Sequence, residues 1–340
     1  MRHPPLAPGW IDRPHHERSI GALHLEAGGR LDDCRLAWVE HGERNAAGDN
    51  TILVLCAIGS THHRLDFLIG PERALDPRRF HVIAVDALGN GLSTSPSNTP
   101  AQPDAGFPDL AIRDMVESQR RLLDLLGIGR LHAVVGASMG GMQALQWAVS
   151  HPHRIDRVVA MTAMARTSRW SQLMNELSRR AMFEDAACKV PRERSAAMRL
   201  WAPLTQLAIA STPLGVERFA GRDELLEEIG ALERRFAEHG PDPFDWACQT
   251  RAYDAHDLGG TPGFRGDLAA ALRAIEARTL LLAPPLDLYN PASASREMVA
   301  HMRNACFVEI ASHRGHRAAS GERAEDAAFL NAVIADFVGG

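Results

Sequence analysis

The sequence predicts an α/β fold, a doubly wound and mostly parallel sheet interrupted by a helical insertion. Three observations carry that reading. Short β-branched apolar runs alternate with amphipathic helical segments in the first half, a long stretch without any strand pattern follows, and the strand pattern returns near the end.

Taken in order, Thr51 to Ile58 (TILVLCAI) is a continuous apolar run ending at the turn-forming Gly59-Ser60, the pattern of a strand covered on both faces. His81 to Asp86 (HVIAVD) is the second such run, and Ser95 to Pro108, rich in proline and small polar residues, reads as a surface loop. Ile112, Met115, Val116, Leu122, Leu123 and Leu126 fall on one helical stripe that stops at Gly127, a C-cap residue. Leu131 to Val135 is a third strand, Gly141 to Ser150 a helix, and Arg157 to Thr162 a fourth strand. Strand, helix, strand in succession requires parallel strands joined by right-handed crossovers. From Ala165 to about Ala277 helical patterns replace strands, with Trp170, Leu173, Met174 and Leu177 at i, i+3, i+4 and i+7, and with Leu225 to Phe236 rich in helix formers and charge. Thr279 to Ala283 and Cys306 to Ile310 resume the sheet, and an amphipathic helix from about Glu325 to Val338 closes it. The expected division is a core of residues 1–164 and 277–340 around a helical lid of residues 165–276.

Composition narrows the function classes. With 340 residues, 45% hydrophobic and 23% charged, the chain can bury a sizeable core without disulfides or metals, and neither disorder nor a fibrous repeat is expected. A formal net charge of -5 supplies no basic excess to neutralise phosphates, so nucleic acid is not the expected partner. Cys34, Cys56, Cys188, Cys248 and Cys306 are odd in number and form no CxxC pair, as in reduced, mostly buried thiols. Met1-Arg2-His3-Pro4-Pro5 has no apolar leader, and no run approaches the roughly 18 apolar residues of a membrane span. A soluble, cytoplasmic protein is expected.

The sharpest local feature is Gly136-Ala137-Ser138-Met139-Gly140, directly after a strand and directly before a helix. A nucleophile on a strained strand-to-helix turn needs tiny neighbours two residues away on both sides, and both are glycine. A serine hydroxyl also needs a base, so an acid and a histidine should follow in that order. Asp287 lies just past the strand Thr279 to Ala283, at the carboxyl edge of the sheet where functional loops gather. His316, preceded by Gly315, follows the last strand, with His313 as a competitor three residues earlier. An oxyanion hole would take the backbone N–H of Met139 and a second from the loop after the first strand, from Ile58 or, next, Gly59. His15-His16, His62-His63 and His151-Pro152-His153 lack HExxH and a third ligand at metal spacing, so no metal site is expected. Neither a GxGxxG after the first strand nor a GxxxxGK[ST] is present, which sets aside dinucleotide and P-loop chemistry.

With these residues in place the chain resembles the homoserine O-acetyltransferase family of α/β-hydrolases over most of its length. The matching stretches are Leu68 to Pro71, Asp114 to Gln119, Gly136 to Ala148, Phe244-Asp245 and Thr250 to Asp254. The resemblance implies an α/β-hydrolase type sheet, Ser138 as the acyl-accepting nucleophile with Asp287 and His316 completing a triad, and a helical lid that also makes a homodimer. It further places Arg199 where the family keeps an arginine for the acceptor's carboxylate. Two departures redirect the reading. The residue after the catalytic histidine, an aspartate holding the acceptor's ammonium in the amino-acid acyltransferases, is here Arg317, and a cation there repels an ammonium. Asp86 to Ser93 resembles the DxxGxGxS loop of esterases. The leading expectation is therefore hydrolysis of a small carboxylic ester without cofactor or metal, the substrate being a small-molecule ester or acyl donor. The alternative is an O-acyltransferase using acetyl-CoA or another acyl-CoA as co-substrate on a non-amino alcohol, and a non-enzymatic interaction protein stands third.

Overall fold

The computed structural model describes residues 3–340; Met1 and Arg2, the start of the stretch read as lacking an apolar leader, lie outside the described residues. The six strands legible in the sequence are β5 to β10 of the chain, because four come before them: β1 (His16–Ser19), β2 (Leu23–His24), β3 (Arg30–Leu31) and β4 (Arg35–His41). The rest are β5 (Thr51–Leu55), β6 (His81–Val85), β7 (Ala133–Ala137), β8 (Arg157–Met161), β9 (Arg278–Ala283) and β10 (Ala305–Glu309). Eight of them form one sheet in the order β1-β4-β6-β5-β7-β8-β9-β10, parallel from β6 to β10, while β1 and β4 pair antiparallel at one edge. β2 and β3 form a separate two-stranded ribbon. The third legible strand runs two residues later than expected, since β7 carries its ladder through Gly136 and Ala137 against β8 up to the residue before Ser138.

Alternation along the strands divides the core. Leu53, Leu55, Val85 and Val134 face a layer that includes α1 (Ile112–Leu125) and α2 (Met139–Ser150). Ile52, Val54, Val82 and Val135 face the other layer. Between β8 and β9 stand only helices among the described residues: α3 (Arg169–Met182), α4 (Arg194–Pro203), α5 (Pro213–Val216), α6 (Arg222–His239), α7 (Pro243–Asp254) and α8 (Leu268–Arg273). α9 (Ala292–His301) joins β9 to β10, and α10 (Ala324–Gly339) closes the second layer through Leu330 and Ile334. The insertion has a core of its own, in which Met182, Met198, Trp201, Leu232 and Trp246 meet.

The helical spacing of Trp170, Leu173, Met174 and Leu177 falls in α3, where Trp170, Leu173 and Leu177 are 51%, 47% and 39% exposed and only Met174 packs inward. The segment Ser95 to Pro108 begins buried, because the Ser95 hydroxyl donates to Ser93 O and accepts from the Gly91 amide. Four of the five cysteines are buried free thiols. Among the described residues no helix is long and apolar enough to cross a membrane.

Candidate active site

Strand order reverses about β5, which has β6 on one side and β7 on the other. In an open α/β sheet such a switch point leaves a crevice at the carboxyl ends of the strands. Ser138 ends β7 there and caps α2 at φ 55°, ψ -124°. The turn tolerates no side chain on its flanks: a Cβ on Gly136 would lie 2.1 Å from Gly140 O, and one on Gly140 would lie 2.3 Å from Leu55 O.

His316, in the 3₁₀ turn Gly315–Ser320 after β10, reaches Ser138 Oγ with Nε2 at 2.8 Å and Asp287 Oδ2 with Nδ1 at 2.8 Å. Asp287 follows β9, and its Oδ1 accepts the amides of Tyr289 (2.9 Å) and Asn290 (2.8 Å). An ionised carboxylate only accepts, so Nδ1 of His316 carries the hydrogen and Nε2 offers its lone pair to the serine O–H. The Tyr289 ring stands edge-on to the imidazole at 5.1 Å and limits its tilt. The competitor His313 is exposed, and only its carbonyl is used, accepting the Thr212 hydroxyl at 2.7 Å.

Of the two oxyanion candidates on the loop after β5, the Gly59 amide donates to Gln249 Oε1 at 2.8 Å. The amides of Ile58 and Met139 have no acceptor among the described residues. They are thus the pair free to meet a developing oxyanion. Gln249, on α7, also donates to Leu88 O at 3.2 Å, so one side chain ties the helical insertion to two loops of the sheet.

Ser138 and His316 line a cavity of about 790 Å³ between sheet and insertion, a size that suits a small-molecule substrate. Arg317 and Glu322 also line it, bonded to each other at 2.6 Å, and Arg314 donates to the same carboxylate at 2.8 Å. Arg199 is a correction. It is exposed on α4 and does not line the cavity, because α4 turns Met198, Trp201 and Ala202 inward and leaves the position after Met198 to solvent.

Sequence reasoning attached no role to Gln249, Asp245 or Asn175, all of which line the cavity. Asp245 accepts the Ser97 amide and hydroxyl (3.0 and 2.6 Å), and burial pushes its carboxyl up to about 7 against those bonds. Asp245 stands in a stretch singled out only by resemblance; Gln249 and Asn175 carried no local signal. The fold brings together histidines that the sequence spacing keeps apart. Three of those set aside as ligands, His15, His62 and His63, are gathered with His3 into one group, because the N-terminal segment folds back across the loop after β5. His16 and His151 stay apart, stacked on Trp38 and edge-on to Trp147.

A model of the alpha/beta hydrolase fold matches residues 66–187. The homoserine O-succinyltransferase of Methylibium petroleiphilum is 31% identical over 349 residues, covering 91% of this chain and 90% of the relative. Among solved structures, an acetylester hydrolase from Corynebacterium glutamicum superposes with a TM-score of 0.88 at 25% identity, over 96% of each chain. The acetyl esterase MekB does so with a TM-score of 0.86 at 30% identity, over 96% of this chain and 97% of its own.

Proposed function

The chain belongs to the homoserine O-acetyltransferase-like family of the α/β-hydrolase superfamily, and from that premise we propose that it moves an acyl group, through an ester of Ser138, from an acyl-CoA type thioester to the hydroxyl of a small acceptor. The observation that carries the reading is the hydrogen-bonded line Asp287, His316, Ser138 at a cavity wide enough for donor and acceptor. Ser138 Oγ attacks the thioester carbonyl while His316 Nε2 takes its proton, and Asp287 steadies the imidazolium. The oxyanion sits between the Ile58 and Met139 N–H groups, each such donor being worth roughly 100- to 1,000-fold in turnover. The C–S bond breaks and His316 returns the proton to the departing sulfur. An acceptor hydroxyl then gives its proton to His316 and attacks the acyl-serine; Ser138 leaves and recovers that proton.

Sequence reasoning put ester hydrolysis first. Relatedness to an O-acyltransferase along nearly the whole chain, insertion included, supports transfer at least as well, so the order is reversed here. Hydrolysis, with water in place of the acceptor, remains the second reading, favoured by the likeness to the acetyl esterase MekB. The acceptor's charge follows from the cavity wall. At the end of the cavity beside His316, Arg64 and Arg317 line the wall and Arg314 stands behind them against the single carboxylate Glu322, a local cationic excess that disfavours an ammonium at that end and suits a neutral or anionic group there. Free thiol released from acetyl-CoA and from succinyl-CoA, with and without homoserine, hydroxy acids and neutral alcohols, tests all of this. Release that depends on a neutral or anionic alcohol is expected. Release indifferent to any acceptor, with brisk cleavage of p-nitrophenyl acetate, would instead assign hydrolysis, and homoserine as the best acceptor would overturn the charge argument.

A further inference from the structure

Four imidazoles meet beside the cavity, which His3 of the group lines. One ligand nitrogen from each of His3, His15, His62 and His63 lies within 4.8 Å of the others. His3 Nε2 and His63 Nε2 are 3.0 Å apart, and the His15 ring centroid stands 4.4 Å from that of His3 and 4.8 Å from that of His62. We propose that these four side chains bind one divalent transition-metal ion of the zinc class, which fastens the N-terminal segment to the loop that follows β5.

Two of the four, His62 and His63, already have the tautomer that a metal requires. Asp86 Oδ2 is 2.8 Å from His62 Nδ1, and Asp66 Oδ2 is 2.6 Å from His63 Nδ1. Both carboxylates accept, so both Nδ1 atoms carry hydrogen and both Nε2 atoms present lone pairs. His62 is 2% exposed, yet its Nε2 has no hydrogen-bond partner among the described residues. A buried lone pair left so is costly unless something binds it. The supporting carboxylates are themselves fixed, Asp66 by the Ile11 amide at 2.8 Å, and Asp86 by the His62 amide at 2.8 Å and Asn90 Nδ2 at 2.9 Å. Carboxylate behind histidine is the arrangement that orients metal-bound imidazoles and raises their basicity.

Ligand count and type narrow the ion. Four nitrogens and no oxygen suit zinc, nickel, copper or cobalt and not magnesium or calcium. Zinc–nitrogen bonds of about 2.1 Å place tetrahedral ligands about 3.4 Å apart, between the 3.0 Å and 4.8 Å separations found here. Four protein ligands make a closed, structural site, and none of the four belongs to the Ser138 line. The consequence for the cavity is indirect. His3 precedes Pro4 and Pro5, which line it, and His62 follows the Ile58 loop at a distance of four residues. The ion would hold both walls together whether the reaction is transfer or hydrolysis.

The test uses the untagged full-length protein, stripped with a chelator and titrated with Co²⁺. Saturation at one ion per chain with the visible absorption of tetrahedral cobalt is expected, followed by its loss as Zn²⁺ displaces it, and a rise in Tm with Zn²⁺. His15→Ala and His63→Gln should each weaken Co²⁺ binding at least about tenfold, and Asp66→Asn by roughly 10- to 100-fold. His15 is exposed, so its removal leaves the apo fold standing and separates lost ligation from lost structure. No saturable cobalt site, or affinity unchanged in either histidine variant, would overturn the proposal.

Discussion

Ser138 holds a backbone conformation that few non-glycine residues adopt, and the strain is sustained by the two close approaches around it, Gly136 to Gly140 and Gly140 to Leu55. Because that geometry belongs to the backbone, Ser138→Ala should leave the fold and Tm nearly unchanged while lowering turnover by about 10⁴-fold or more. Turnover within tenfold of the parent would remove Ser138 from its role. Gln249 tests the oxyanion loop in a different way. Its bond to the Gly59 amide holds the loop that carries the free Ile58 amide, so Gln249→Ala should lower kcat by roughly 10- to 100-fold and change KM little. An effect on KM alone would make it a wall residue only. The contrast between the two explains what the sequence reveals at this scale. The serine turn is local, its steric demands written within five residues, and the acid and base are found by chain order. Gln249 acts on a residue 190 positions away, and nothing near it in the chain announces that contact.

Helix α3 shows how an element can be found and its orientation missed. Its apolar stripe at Trp170, Leu173 and Leu177 is the face a periodicity argument assigns to a core, but the buried flank is polar: the Ser171 hydroxyl donates to Tyr289 O, Asn175 Nδ2 donates to Asp254, and the Ser178 hydroxyl accepts the Trp246 indole. Cavity-side hydrogen bonds, invisible to hydropathy, fix the helix by its hydrophilic side. The stripe is then left for another surface, and the expected homodimer through the insertion supplies one. Leu173→Glu, placing a charge in the middle of the stripe, should convert a dimer to a monomer in size-exclusion chromatography with light scattering, at unchanged helical content. A parent chain that is monomeric at tens of micromolar would end that reading. Strands β5 to β9 were legible because burial on both faces makes them apolar nearly throughout, and β10, a half-buried edge strand, by its short apolar run Cys306 to Val308. β1 and β4 were not, since β4, although paired on both sides, mixes exposed and buried residues from Arg35 to His41, and the edge strand β1 lacks an apolar run altogether.

At the scale of the whole molecule, α7 is the strut between insertion and sheet, and Asp245 is its buried anchor on the loop after β6. Burial raises its folded carboxyl to about 7, against about 3.9 in an unfolded chain. Between those values the unfolded chain has released the proton and the folded one keeps it, so unfolding is favoured as pH rises. The stability in question is present in full below about pH 4, is lost as pH climbs toward about 7, and changes no further above that. Buried histidines act in the opposite sense. Burial lowers His41 and His151 to about 4 and His256 to about 3, so between those values and the ordinary 6.5 their contribution to stability grows with pH. The parent curve alone therefore cannot assign either slope, whereas a difference between variants can. Asn in place of Asp245 keeps an oxygen for the Ser97 amide and never ionises, and it leaves the three histidines as they were. The stability of Asp245→Asn relative to the parent should accordingly rise from pH 5 to pH 8 in chemical denaturation, and most of that rise should fall below about pH 7. A difference that stays flat or declines over the interval would mean that Asp245 is already ionised in the folded protein.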